Sequence, residues 1–110
     1  MWMIEPQLLC NKHLLGEHFE IHKHKHNFEK KHSIAGRLFP FVQIEPSSME
    51  LRHDILASEM LRRGMNHQSE YTQPDISYLP AENQNAKVNI KESKKELFKR
   101  CINCRKRGVK

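Results

Sequence analysis

The chain predicts an all-α fold: a single compact domain of three main helices with long loops between them. Three observations carry this reading. Apolar residues recur at helical spacing in three separate segments, and no run alternates apolar and polar residues as a half-buried strand would. Two of those segments open on residues suited to cap a helix. Aromatic residues make up 7% of the chain against 37% hydrophobic residues overall, a balance that suits packed helices better than sheets.

The first helix is expected from Pro6, because a first helical turn tolerates proline, whose missing N–H has no partner there anyway. Leu8, Leu15, Phe19 and His22, with Leu9 and Leu14 beside them, give the segment an amphipathic pattern running to about His24 or beyond. Residues 27–45 hold Gly36 and Pro40 among short apolar stretches and read as mostly loop, with room for one helical turn. Ser47-Ser48-Met49-Glu50 reads as a capping box, the Ser47 hydroxyl serving the third amide and Glu50 reaching back to the cap. Leu51, Ile55, Leu56, Met60 and Leu61 follow at helical spacing, Arg62 and Arg63 complement the last turn, and Gly64 suits a left-handed stop. Residues 65–88, polar and holding Pro74 and Pro80, read as a long irregular connection. Asn89 with Glu92 caps a third helix, whose apolar stripe is Ile90, Leu97, Phe98, Cys101 and Ile102. The helical domain is therefore expected over residues 1–104, with a frayed basic tail over residues 105–110.

At 110 residues the chain is one domain at most, and its core is small. A net charge of +6 with pI about 9.4 favours an anionic partner, nucleic acid first and a membrane surface second. No apolar run approaches the roughly 20 residues of a membrane span. Met1-Trp2-Met3-Ile4-Glu5-Pro6 lacks the basic and long apolar regions of a signal peptide, so no membrane association and a cytoplasmic location are expected. Three cysteines, with Cys10 far from the Cys101/Cys104 pair, fit a reducing compartment better than a disulfide scaffold.

The densest chemistry lies in Lys12-His13-Leu14-Leu15-Gly16-Glu17-His18-Phe19-Glu20. His13, Glu17 and Glu20 are spaced four and three apart and share a helical face near the chain's free amine. Such a set suits either the start of an active site or a solvated polar stripe. The segment resembles the first-helix signature of the phage pyrimidine-dimer DNA glycosylases, the endonuclease V type of ultraviolet-damage repair enzyme. Three further blocks resemble that family in order: Lys31-His32-Ser33-Ile34-Ala35-Gly36-Arg37, Glu59-Met60-Leu61-Arg62-Arg63-Gly64-Met65-Asn66, and Gln73-Pro74-Asp75-Ile76-Ser77-Tyr78-Leu79-Pro80. Together they cover about residues 1–100.

The resemblance implies a DNA repair glycosylase with AP lyase activity on damaged duplex DNA, with cyclobutane pyrimidine dimers as the expected lesion. It implies an N-terminal amine that attacks the sugar C1′, displaces a base and forms a Schiff base, after which β-elimination breaks the strand. The family carries that amine on the small residue after the initiator methionine. Trp2 stands there in this chain, so methionine is expected to stay and the nucleophile becomes the Met1 amine. Glu20 matches the catalytic glutamate, able to stabilise an oxocarbenium-like charge and to shuttle protons. His13 matches a histidine near the scissile sugar. Lys23, Lys31, His32 and Arg37 match basic residues on the DNA, whose phosphates such side chains hold without reading sequence. Phe19 stands where the family has an arginine, and the family's aromatic, basic C-terminal segment is replaced by Arg100, Arg105, Lys106 and Arg107 without rings. A Schiff-base lyase needs no cofactor and no metal, and a monomer in a prokaryotic or phage-infected cell is expected.

Two other readings stay open. One is a DNA-binding protein of the same fold without glycosylase activity. The other is a metal-dependent nuclease built on His18, His22 and His26, spaced four apart, since neutral imidazoles at that spacing can ligate zinc or nickel. Cys101-Ile102-Asn103-Cys104 is half of a structural zinc site that Cys10 and a histidine would have to complete, or else part of the core stripe.

Overall fold

The computed structural model describes residues 1–67 and 70–108. It is 61% helical, with no strand among the described residues, so the all-α expectation holds. Among the described residues six helices follow in order: α1 (Asn11–Glu29), α2 (Ala35–Leu38), α3 (Met49–Arg62), α4 (Ala81–Gln84), α5 (Ile90–Arg100) and α6 (Ile102–Gly108). The three long ones, α1, α3 and α5, are the three that the sequence predicts. None is long and apolar enough to cross a membrane.

The first helix starts later than Pro6. Pro6–Leu8 form a single 3₁₀ turn, and Leu9 and Cys10 are extended before α1 begins. The reason lies in α3. The Arg63 guanidinium, directly after α3, donates to the carbonyls of Leu9 (2.7 Å) and Pro6 (3.2 Å) and to Asn11 Oδ1 (2.9 Å), so the Leu9 carbonyl is satisfied from the end of α3 rather than by continuing the first helix. The same guanidinium holds Glu59 at 2.7 Å, tying the end of α3 to the arm before α1.

The buried face of α1 also differs from its apolar pattern. Leu14, Ile21 and Phe28 are in the core as expected of helical spacing, but Glu17, His18 and His24 are buried beside them, while Leu15 and Phe19 are exposed. Glu17 is tolerated there because Arg52 of α3 grips it through two bonds, Nε to Oε2 at 2.7 Å and Nη2 to Oε1 at 3.1 Å. On α3 the buried residues are Met49, Arg52, His53, Leu56, Ala57, Glu59 and Met60, whereas Leu51 and Leu61 face solvent.

The capping box before α3 does not form. Pro46–Ser48 make a 3₁₀ turn that leads into the helix, and Ser48 Oγ donates instead to Glu45. The Glu50 amide donates to Gln73 Oε1 at 3.1 Å, and the Gln73 amide returns a bond to Glu50 Oε1. The cap is thus supplied by the loop after α3. Gly64 does end α3 in the left-handed region at φ +82°. Asn89 caps α5 as expected, accepting from the Glu92 amide at 3.1 Å. α5 breaks at Cys101, which is extended, and residues 105–108, expected as frayed tail, form the rest of α6. Residues 109 and 110 of that tail lie outside the described residues.

Glu59 gives the fold an acid-sensitive joint. Its hydrogen bond from Arg62, opposed by burial and reinforced by Arg63, lowers its carboxyl from the ordinary 4.5 to about 2. The folded chain then binds this proton less readily than the unfolded chain, so the contribution is fully present above about pH 4.5 and is lost as pH falls toward 2. The urea midpoints of the chain and of Glu59→Gln should therefore differ most above pH 4.5 and converge below it. A difference that does not change with pH would show that the carboxylate charge contributes nothing.

Candidate active site

The chain's amine lies against the middle of α1. Ile4 and Leu9 bury the arm in the core, Met3 turns it with a positive φ of 59°, and Ser93 of α5 donates to the Trp2 carbonyl at 2.6 Å. The Met1 side chain is buried, and its sulfur accepts from the Glu45 amide at 3.4 Å. The Met1 nitrogen donates to Glu20 Oε1 at 2.6 Å and to the Gln43 carbonyl at 2.8 Å. Glu20 remains 34% exposed, so one side of the pair is open to a ligand from solvent.

Burial by itself would raise the Glu20 carboxyl. The adjacent His24 ring and the Met1 ammonium outweigh it and hold the carboxyl at about 2. The His24 ring stands 3.5 Å from Glu20 Oε1, an electrostatic contact that falls short of a hydrogen bond, since both its nitrogens are buried without a partner. At neutral pH Glu20 is therefore an anion. As an anion it can hold positive charge on the neighbouring nitrogen.

Met1 and Glu20 thus come together, and Gln43 and His24 join them without any role assigned from sequence. Gln43 is reached only through the tertiary fold. His24, i+4 from Glu20, had the spacing as a signal. Lys23, Lys31, His32 and Arg37 are all exposed, on α1, on the turn after it and on α2. Lys31 adopts a positive φ of 55° and its Nζ lies 5.6 Å from the centre of the Tyr78 ring; His32 Nδ1 is 3.2 Å from Asn27 Oδ1. His13 meets the cysteines instead, with Nδ1 3.1 Å from Cys10 Sγ and 3.5 Å from Cys104 Sγ. Its ring also meets Trp2 edge-on at 5.9 Å.

The fold and the site together define an all-α domain in which a helix carboxylate clasps the Met1 ammonium. The chain belongs to the pyrimidine dimer DNA glycosylase family, whose sequence profile matches residues 1–73. That family acts in DNA repair on damaged DNA. No curated protein and no solved structure matches the chain.

Proposed function

We propose that this protein is a DNA glycosylase with AP lyase activity, and that the Met1 amine is its nucleophile. The observation that supports this most is the 2.6 Å contact between that amine and Glu20. In the reaction, the neutral amine attacks C1′ and forms the C1′–N bond, while the bond from C1′ to the pyrimidine breaks and the base leaves with the electron pair and takes up a proton. Opening of the sugar gives an iminium. Loss of a C2′ proton and departure of the 3′ phosphate then cleave the strand, and hydrolysis of the iminium frees the amine.

Glu20 performs two parts. Paired with the ammonium, it fixes the nitrogen's position. When the amine gives up its proton and moves onto C1′, the carboxylate loses its partner and faces the oxocarbenium-like charge, then the iminium. The iminium acidifies the adjacent C2′–H, so the carboxylate beside it can accept that proton. The Gln43 carbonyl accepts a hydrogen bond but carries no full charge, so it orients the amine without competing for that role.

The target sugar cannot be reached in a stacked duplex, so a base must leave the stack. Phe39 and Phe41, 80% and 75% exposed, flank Pro40 on the loop that delivers Gln43, and apolar side chains in such a position can wedge between base steps. Lys23, Lys31, His32 and Arg37 supply positive charge for the phosphates. Cyclobutane pyrimidine dimers are the lesion proposed.

Borohydride trapping on two duplexes, one with a thymine dimer and one with an abasic site, tests the reading. A covalent complex on both is the expected result. Trapping on the abasic duplex alone would keep the lyase and remove the dimer as substrate. Salt-sensitive binding with no cleavage and no trapping would replace the reading with a DNA-binding protein of this fold, and cleavage without trapping would replace it with a hydrolytic nuclease.

A further inference from the structure

Two pairs of side chains far apart in sequence converge at the junction of the arm, α1, α5 and α6. Cys10 directly precedes α1, His13 lies in its first turn, Cys101 follows the end of α5 and Cys104 lies in α6. Their ligand atoms all lie within 4.8 Å of one another. Cys10 Sγ is 3.9 Å from Cys101 Sγ, and His13 Nδ1 is 3.1 Å and 3.5 Å from the sulfurs of Cys10 and Cys104. A tetrahedron with metal–sulfur bonds of about 2.3 Å has sulfur–sulfur edges of about 3.8 Å, and mixed sulfur–nitrogen edges somewhat shorter. Backbone amides already point at the sulfurs, as a metal thiolate requires: Cys10 N donates to Cys104 Sγ at 3.2 Å and Cys104 N to Cys101 Sγ at 3.5 Å. We propose that Cys10, His13, Cys101 and Cys104 hold a structural zinc ion that clamps the C-terminal helices to the arm bearing the amine.

Three thiolates and one neutral imidazole on a divalent ion leave one negative charge, and Lys12, Lys106 and Arg107 line the same recess. All four ligand positions are then filled by protein, which marks a structural rather than a catalytic centre. The site also gives His13 a task other than the DNA contact implied by family resemblance. It reaches beyond residue 73, where the family match ends, and recruits residues 101–104 into the domain.

An independent set of observations carries a second site. His18 and His22 of α1, His53 of α3 and His67 of the following loop also place their ring nitrogens within 4.8 Å of one another. His18 Nε2 is 2.8 Å from His67 Nε2 and 3.3 Å from His22 Nε2. His53 Nδ1 is 3.0 Å from Asp54 Oδ1, the arrangement in which a carboxylate fixes the tautomer of a metal-bound histidine, and its buried Nε2 has no partner. His26, spaced to join this set, instead has its ring 5.9 Å from that of His32. An open cavity of about 600 Å³ lined by His53 and His67 provides an entry path. We infer that these four imidazoles bind a divalent first-row transition ion such as zinc.

Both sites are tested on the full chain, purified from zinc-supplemented culture and dialysed against a weak chelator. Two zinc ions per chain are expected, falling to one in Cys101→Ser and to one in His67→Ala, whose position in a loop spares the helices. Should Cys101→Ser fail to fold, the cobalt-exchanged chain decides: an intense near-ultraviolet thiolate-to-cobalt band with tetrahedral visible bands is expected from the cysteine site. Absence of that band overturns the cysteine site. A zinc content unchanged by His67→Ala overturns the histidine site, and a chain without zinc overturns both. None of these readouts depends on cleavage, so their failure leaves the glycosylase reading standing.

Discussion

Glu20→Gln is expected to lower strand cleavage by about 10²- to 10³-fold, the usual loss when one charge-stabilising group at a reacting centre is removed. Glutamine keeps the size of the side chain and its oxygen still accepts a hydrogen bond from the Met1 amine, so the arm should stay in place. What disappears is the negative charge facing the carbon that becomes cationic. The loss should therefore appear in the single-turnover rate on an abasic duplex, while duplex affinity, which depends on the basic surface, is essentially unchanged. Near-normal cleavage by this variant would take Glu20 out of the reaction and leave its contact with the amine as an ordinary ion pair.

The largest expected loss of stability follows removal of Arg52. Its side chain and that of Glu17 are 4% and 0% exposed, and the two are joined by two hydrogen bonds between α1 and α3. Arg52→Ala leaves a carboxylate in the core with neither water nor a cation, a change that costs about 3–5 kcal/mol. Domains of this size have roughly 5–15 kcal/mol in all, so the variant should be partly unfolded or unfold at much lower urea. Replacing both residues by apolar ones of similar volume should recover most of the loss, because the desolvation of two charges disappears with them. A cost below about 1 kcal/mol for Arg52→Ala would mean the pair behaves as a solvated surface bridge.

Those two residues also show where the sequence is legible and where it is not. Gly64 and the Asn89 cap are correct because each depends on neighbours within a turn. The start of α1 and the cap of α3 are not, because Arg63 and Gln73, distant in the chain, claim the groups that local rules assign elsewhere. Hydrophobicity picks Phe19 for the interior of α1 over Glu17 and His18, yet Phe19 is exposed. A polar residue can be buried only if a partner arrives, and Arg52 comes from 35 residues away. The same limit applies to the candidate site. Residues on one helix, such as Glu20 with His24 or His18 with His22, announce their proximity by spacing. Met1, Gln43, His53 and His67 reach their partners only through the fold; spacing sets Glu20 near the free amine, and the family resemblance supplies the pairing itself.

The enclosure of the first residue sets a condition on how the protein can be made. Its nitrogen is occupied on two sides by Glu20 and the Gln43 carbonyl, and its side chain is buried. An affinity tag fused ahead of Met1, or a formyl or acetyl group left on it, turns the ammonium into an amide. Glu20 then loses its cation, and the added atoms must find a way out of a space that the arm already fills. Under the proposed mechanism, a recombinant preparation tagged at the front would have its nitrogen capped and form no borohydride-trapped complex, while duplex binding and metal content would be unchanged. The handle belongs at the other end of the chain.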